Sequence, residues 1–222
     1  MPISSAYQKL IAMSIFIDSI RNAERRLRTH LFMPSNVEIE RRFLVDVISL
    51  PRIRELVTSA VEIRQWFPPL GEVELLPETH SIALSGRVMI ERIPEEEWVG
   101  VCELISSGIG IRIRLIEGKG VLTVKGPWEG VVRKEFEWPV DPVLVKQFGD
   151  AYEWPGISKR RLYYPLDNNM VCEVDVFSGP LDGLVIAEVE LESGEEKFTL
   201  PEWFGTEVTG AVEWGNAALA KK

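Results

Sequence analysis

Seven stretches of this chain alternate an apolar side chain with an ionised one, and nothing else in the sequence restricts the fold so strongly. In "VEIERRFLV" (37–45), Glu38, Glu40 and Arg42 share one side of an extended strand, because residues i and i+2 project to the same face. "GIRIRL" sets Arg112 and Arg114 opposite Ile111, Ile113 and Leu115, and "VLTVKG" sets Thr123 and Lys125 opposite Leu122 and Val124. "VRKEFEW" groups Arg133, Glu135 and Glu137 against Val132, Phe136 and Trp138, with Lys134 as the exception. "SKRRLYY" contributes Lys159 and Arg161, "CEVDVF" Glu173 and Asp175, and "AEVEL" Glu188 and Glu190.

An antiparallel sheet with one dry and one wet face alternates in the same way, so period two alone does not separate it from a closed barrel. A face that is merely wet carries more Thr, Ser and Gln than this one, which is nearly all ionised. If the sheet closes with that face inward, the lumen is strongly basic and strongly acidic at once, and about eight strands leave room for one small ligand. Basic side chains can hold the groups of a polyphosphate, while clustered carboxylates bind hard divalent cations through oxygen. Phosphoryl transfer asks for charge neutralisation and in-line positioning rather than a side-chain nucleophile. His30 and His80 are the only histidines, which argues against Ser/His/Asp catalysis and His-rich zinc sites, and no P-loop pattern occurs.

The rest of the chain frames this pattern. At 222 residues and 45% hydrophobic, the sequence supports one main domain. A net charge of -9 opposes a non-specific grip on nucleic acid, so an anionic ligand must meet a local basic site. Cys102 and Cys172 are too few for a disulfide framework and read as free thiols of a reducing, cytoplasmic protein. The apolar run "LIAMSIFI" (10–17) is too short to span a membrane. Residues 6–31 carry Leu10, Met13, Ile17, Ile20, Leu27 and Leu31 at helical spacing, interrupted at Glu24. They read as a helix lying on its own domain or as a short helical contact in a homodimer. Pro51 and the Asp141-Pro142 pair open two outer helices. Residues 68–108, from "PPLGE" to "SSGIG", form an insertion or an extra hairpin whose acidic run Glu95 to Glu97 reads as a solvated face.

The segment "VEIERRFLV" resembles the E-x-E-x-K signature that opens the CYTH domain of the triphosphate tunnel metalloenzymes. "RIR", "LTVKG", "RKEFEW", "KRRLYY", "CEVDVFSGPLDGLVIAEVELES" and "LPEWFGTEVTG" follow in that family's order, and the likeness covers 37–48, "EIRQWF" at 62–67, and 109–220. The resemblance implies an α+β fold, a closed antiparallel β-barrel of about eight strands with outer helices over 37–222, while the N-terminal helical extension over 1–36 rests on its own spacing. It also implies hydrolysis of inorganic tripolyphosphate or another small triphosphate with Mg2+ or Mn2+. A nucleotide triphosphatase or adenylate cyclase, and a module that binds phosphorylated ligands without turnover, are the alternatives.

Carried over by position, Glu38, Glu40, Glu188 and Glu190 would hold metal, and Arg112, Arg114, Lys125, Arg133, Lys159 and Arg161 would grip phosphate. Glu135, Glu137, Glu173 and Asp175 would line the same lumen as catalytic residues, binding a second metal, orienting water or pairing with the basic groups. Arg42, also assigned to catalysis, stands where the signature has Lys. The first 36 residues and the 68–108 insertion have no family counterpart.

Overall fold

The computed structural model describes residues 36–222. The helix predicted over 6–31, its His30 and its contact between copies lie outside the described residues. The strands are β1 (Val37–Val45), β2 (Ser59–Trp66), β3 (Val73–Leu76), β4 (Ser81–Leu84), β5 (Arg87–Ile90) and β6 (Ile111–Ile116), then β7 (Lys119–Lys125), β8 (Val132–Val140), β9 (Gly156–Pro165), β10 (Val171–Ser178), β11 (Val185–Glu190) and β12 (Phe204–Glu207). Four helices accompany them: α1 (Leu50–Arg54), α2 (Glu95–Ser106), α3 (Pro142–Ala151) and α4 (Asn216–Leu219).

Eight strands hydrogen-bond in the order β11-β10-β9-β2-β6-β7-β8-β1, and β1 pairs back onto β11, so the antiparallel sheet closes into a barrel. Closure runs through Glu40 opposite Glu190 and Arg42 opposite Glu188, while β12 lies along the far end of β1. Local chemistry fixes the joints. The β6–β7 hairpin turns on Glu117 and Gly118, both at positive φ, the geometry that matches the twist of a two-residue hairpin. Asp141 caps α3 by accepting from the Val143 N–H at 2.8 Å, with Pro142 at the first helical position, as the sequence predicts.

The barrel is charged inside, so its apolar core lies outside it. On one flank, Ile111, Ile113, Leu122, Val124 and Phe136 face outward from β6, β7 and β8 and pack with residues of the insertion and α3. On the other, Phe43, Val174, Ala187 and Val189 face outward and meet Ile53 of α1 and Trp203. A third cluster of Ile157, Phe177, Ile186 and Leu219 closes one end of the barrel beneath α4. Among the described residues, no helix is long and apolar enough to cross a membrane.

The insertion is more than a hairpin. It forms the three-stranded sheet β3-β4-β5 followed by α2, and Ile82, Leu84, Trp98 and Val101 bury against the barrel's outer face. Gly100 passes so close to the Phe136 ring that an added Cβ would stand 2.9 Å from it. Glu95 and Glu96 are exposed as the sequence implies, but Glu97 is drawn in and accepts a hydrogen bond from Trp138 Nε1 at 3.1 Å. Because barrel and insertion share one core, Trp98→Ala is expected to destabilise the whole molecule by about 3–5 kcal/mol in a single cooperative transition. Denaturant unfolding followed by circular dichroism checks this. A separate early transition with the barrel unaffected would show that the insertion is an independent unit.

Candidate active site in the barrel lumen

The register places the charged faces of seven strands toward one cavity of about 1410 Å³. Every predicted site residue lines it except Lys159 and Asp175. Those two face inward but sit deeper, under the apolar plug, with exposures of 2% and 0%. Alternation along a strand fixes which face a residue takes, not how far along the barrel axis it lies. Lys159 and Asp175 form a buried ion pair on that inward face, and Asp175 also holds Arg161. Burial lowers the Lys159 ammonium to about 8 even with Asp175 beside it.

Above that pair, Arg161 is held by Asp175 through two hydrogen bonds of 2.7 Å, reaches Glu188 at 2.8 Å and contacts Glu173. On the opposite wall Glu38 accepts from Lys125 at 2.7 Å and from Arg133 at 2.5 Å. Burial pushes the Glu38 carboxyl up, but Lys125 and Arg133 outweigh it and hold it down to about 2. Arg114 donates to Glu137 at 3.0 Å, and Arg112 stands 3.9 Å from Glu135 and 3.7 Å from Glu137. Arg42 bridges two carboxylates, with Nη2 2.9 Å from Glu188 and Nε 3.7 Å from Glu40. The Glu188 contact is a charge contact without hydrogen-bond geometry.

β2 departs from the pattern. Its charges Glu62 and Arg64 pair outward with Arg160 and Asp150, while Val61, Ile63 and Gln65 take the inward positions. Sequence reasoning therefore missed Gln65 on that inward face, and it also missed Tyr163, Asn216 and Trp128, which line the cavity. Trp128 is recognisable only in three dimensions, where the Arg133 guanidinium lies 4.0 Å above its ring centroid.

The chain is 37% identical over 115 residues to the inorganic triphosphatase of Acetivibrio thermocellus, a match covering 50% of this chain and 71% of that protein. It is 32% identical over 117 residues to the inorganic triphosphatase of Nitrosomonas europaea, covering 52% and 77%. The chain belongs to the CYTH family of triphosphate tunnel metalloenzymes. No family model matches it. A solved inorganic triphosphatase structure is 25% identical, covers 83% of this chain and 95% of its own, and superposes with a TM-score of 0.48.

A CYTH triphosphatase depends on a metal ion, and the donor set here fits one. Glu40, 4% exposed, is pushed up to about 8 by burial and then by the neighbouring Glu188 and Glu38. A hard cation relieves that repulsion through carboxylate oxygens. Among the described residues no three acidic side chains already converge on one point, because Lys125, Arg133, Arg42 and Arg161 hold Glu38 and Glu188. A cation must compete with these partners for its ligands.

With its folded-state value above the ordinary 4.5, Glu40 favours folding fully below about pH 4.5 and loses that contribution as pH rises toward 8. Glu40→Gln is therefore expected to stabilise the metal-free protein at pH 7 by about 1–3 kcal/mol, with no advantage at pH 4. Urea unfolding of both proteins at the two pH values in chelator measures this. A pH-independent difference would show that Glu40 is not held protonated.

Proposed function

We propose that this chain hydrolyses inorganic tripolyphosphate to pyrophosphate and phosphate inside the lumen, with water as nucleophile and Mg2+ or Mn2+ bound at Glu38, Glu40, Glu188 and Glu190. The reading rests on a closed barrel whose enclosed face is a mixed array of cations and carboxylates. Its family membership supports the same chemistry. Arg112, Arg114, Lys125, Arg133 and Arg161 line the cavity where a phosphate chain can exchange places with their present carboxylate partners. Held there, the chain presents its terminal phosphorus for in-line attack, and the guanidinium groups take up charge that develops on the departing pyrophosphate. Glu135, Glu137 and Glu173 are released as their basic partners turn to phosphate, and a freed carboxylate can take the proton of the attacking water. A cation held by Glu38, Glu40, Glu188 and Glu190 would neutralise charge on the phosphoryl oxygens. Asp175 and Lys159 act beneath this layer by fixing Arg161.

A nucleotide triphosphatase is the second reading, favoured by Trp128 at the cavity edge, whose ring offers a stacking surface to a base. Phosphorus NMR of purified protein with tripolyphosphate and with ATP, each with magnesium, manganese or chelator, tests both. The expected result is metal-dependent formation of pyrophosphate and phosphate from tripolyphosphate. Binding with no product at all would leave a phosphate-binding module.

Two substitutions probe the assignment of roles. Arg112→Ala should lower kcat/KM by about 10–100-fold, the loss of one charge-assisted contact to phosphate. Kinetics like the wild type would make this wall structural only. Arg42 clamps Glu40 and Glu188 by charge, so Arg42→Lys should keep activity within about threefold while Arg42→Ala loses most of it. Steady-state assays compare the two, and full activity in the Ala variant would remove Arg42 from the site.

A further inference from the structure

Gln65 is the one amide on the inward face of β2, opposite Arg114 of β6 and Ile157 of β9. Its side chain is fully buried, and neither its oxygen nor its nitrogen has a hydrogen-bond partner among the described residues. Burying an unpaired amide is costly, and an apolar residue of the same size avoids that cost, so packing alone gives no reason for Gln here. Arg114 carries the complementary defect. Its Nη2 donates to Glu137, while its Nε–H is buried without an acceptor. A carbonyl oxygen lacking a donor and an N–H lacking an acceptor thus belong to cross-strand neighbours that share one face.

We infer that Gln65 is a positioning residue for Arg114, an inference that rests on the triphosphatase reading. When a phosphate chain draws the guanidinium away from Glu137, Gln65 Oε1 accepts the Arg114 Nε–H and fixes the plane of the fork toward the lumen. A guanidinium held at Nε presents its two Nη groups together, the geometry that suits bidentate contact with phosphate oxygens.

Gln65→Met keeps the size of the side chain and removes the acceptor. It is expected to unfold at or above the wild-type Tm without ligand, since an unpaired buried amide is gone. Its KM for tripolyphosphate should rise about tenfold, and the rise in Tm that tripolyphosphate causes should shrink to match. In an Arg114→Lys background, which has no Nε–H, the same change should alter KM by less than about twofold. A structural role alone would move Tm and leave KM untouched.

A wild-type KM in Gln65→Met, or the full tenfold effect repeated on Arg114→Lys, overturns the inference. Should Gln65→Met fail to fold, nitrogen-15 spectra of the wild type give the second test. The Arg114 Nε–H is expected to exchange more slowly with water when tripolyphosphate is added, and unchanged exchange overturns the inference. Wild-type protein that neither binds nor hydrolyses tripolyphosphate overturns the functional reading and this one together, whereas a wild type that does both beside an equally competent Gln65→Met overturns this one alone.

Discussion

Mutual neutralisation of charges on the inward, largely buried faces of the barrel strands is the condition on which this fold rests. Seven of the eight barrel strands turn ionised groups inward, and Arg42, Arg112, Arg114, Lys125, Arg133 and Arg161 each lie within ion-pair distance of at least one carboxylate. Such pairs return little net stability, because desolvation consumes most of the attraction, yet removing one partner leaves a buried charge exposed to the full cost. The driving force for folding must therefore come from elsewhere. It comes from the two apolar clusters on the barrel's outer flanks and the plug at one end. The insertion and α3 are needed for this reason, since without them the outward faces of β6, β7 and β8 would meet water.

The same balance explains how the lumen can accept a highly charged ligand. In the function proposed, a phosphate chain with a divalent cation would offer anions to Arg112, Arg114, Lys125 and Arg133, and a cation to Glu40 and its neighbours. Binding exchanges internal pairs for external ones instead of creating uncompensated charge. Glu40 shows where the internal balance is weakest, because burial and its neighbours Glu188 and Glu38 raise its carboxyl against the pull of Lys125 and Arg133. Gln65 and Arg114 show a smaller imbalance of the same kind, in which the Gln65 amide and the Arg114 Nε–H find no hydrogen-bond partner among the described residues.

Much of this was legible in the chain because period-two alternation is a direct imprint of a pleated strand with two different environments. Which residues share one face on β1, β6, β7, β8, β9, β10 and β11 followed from that alone, and the ionised character of that face with the family resemblance turned it inward. What alternation does not encode is depth along the barrel axis. Lys159 and Asp175 obey the pattern as strictly as Arg161 and Glu173, but they lie toward the end of the barrel closed by Ile157, Phe177, Ile186 and Leu219, and only Leu219 of these comes from a segment distant in sequence. Nor does alternation by charge find β2, where Glu62 and Arg64 mark the outer face and the inward side is Val61, Ile63 and Gln65. The insertion was visible as a break in the pattern, while its role as an outer wall depends on contacts between Trp98, Val101 and a barrel surface whose apolar face the sequence did show.

In the proposed function, phosphates and metal ions share one charged lumen, each taking over groups that now pair with one another. Diffraction from crystals soaked with Mn2+ and tripolyphosphate, recorded at the manganese absorption edge, tests it most directly. The expected result is an anomalous peak among Glu38, Glu40, Glu188 and Glu190, with phosphate density against Arg112, Arg114, Lys125 and Arg133. Manganese and phosphate found only on the outer surface, with the ion pairs of the lumen intact, would contradict it.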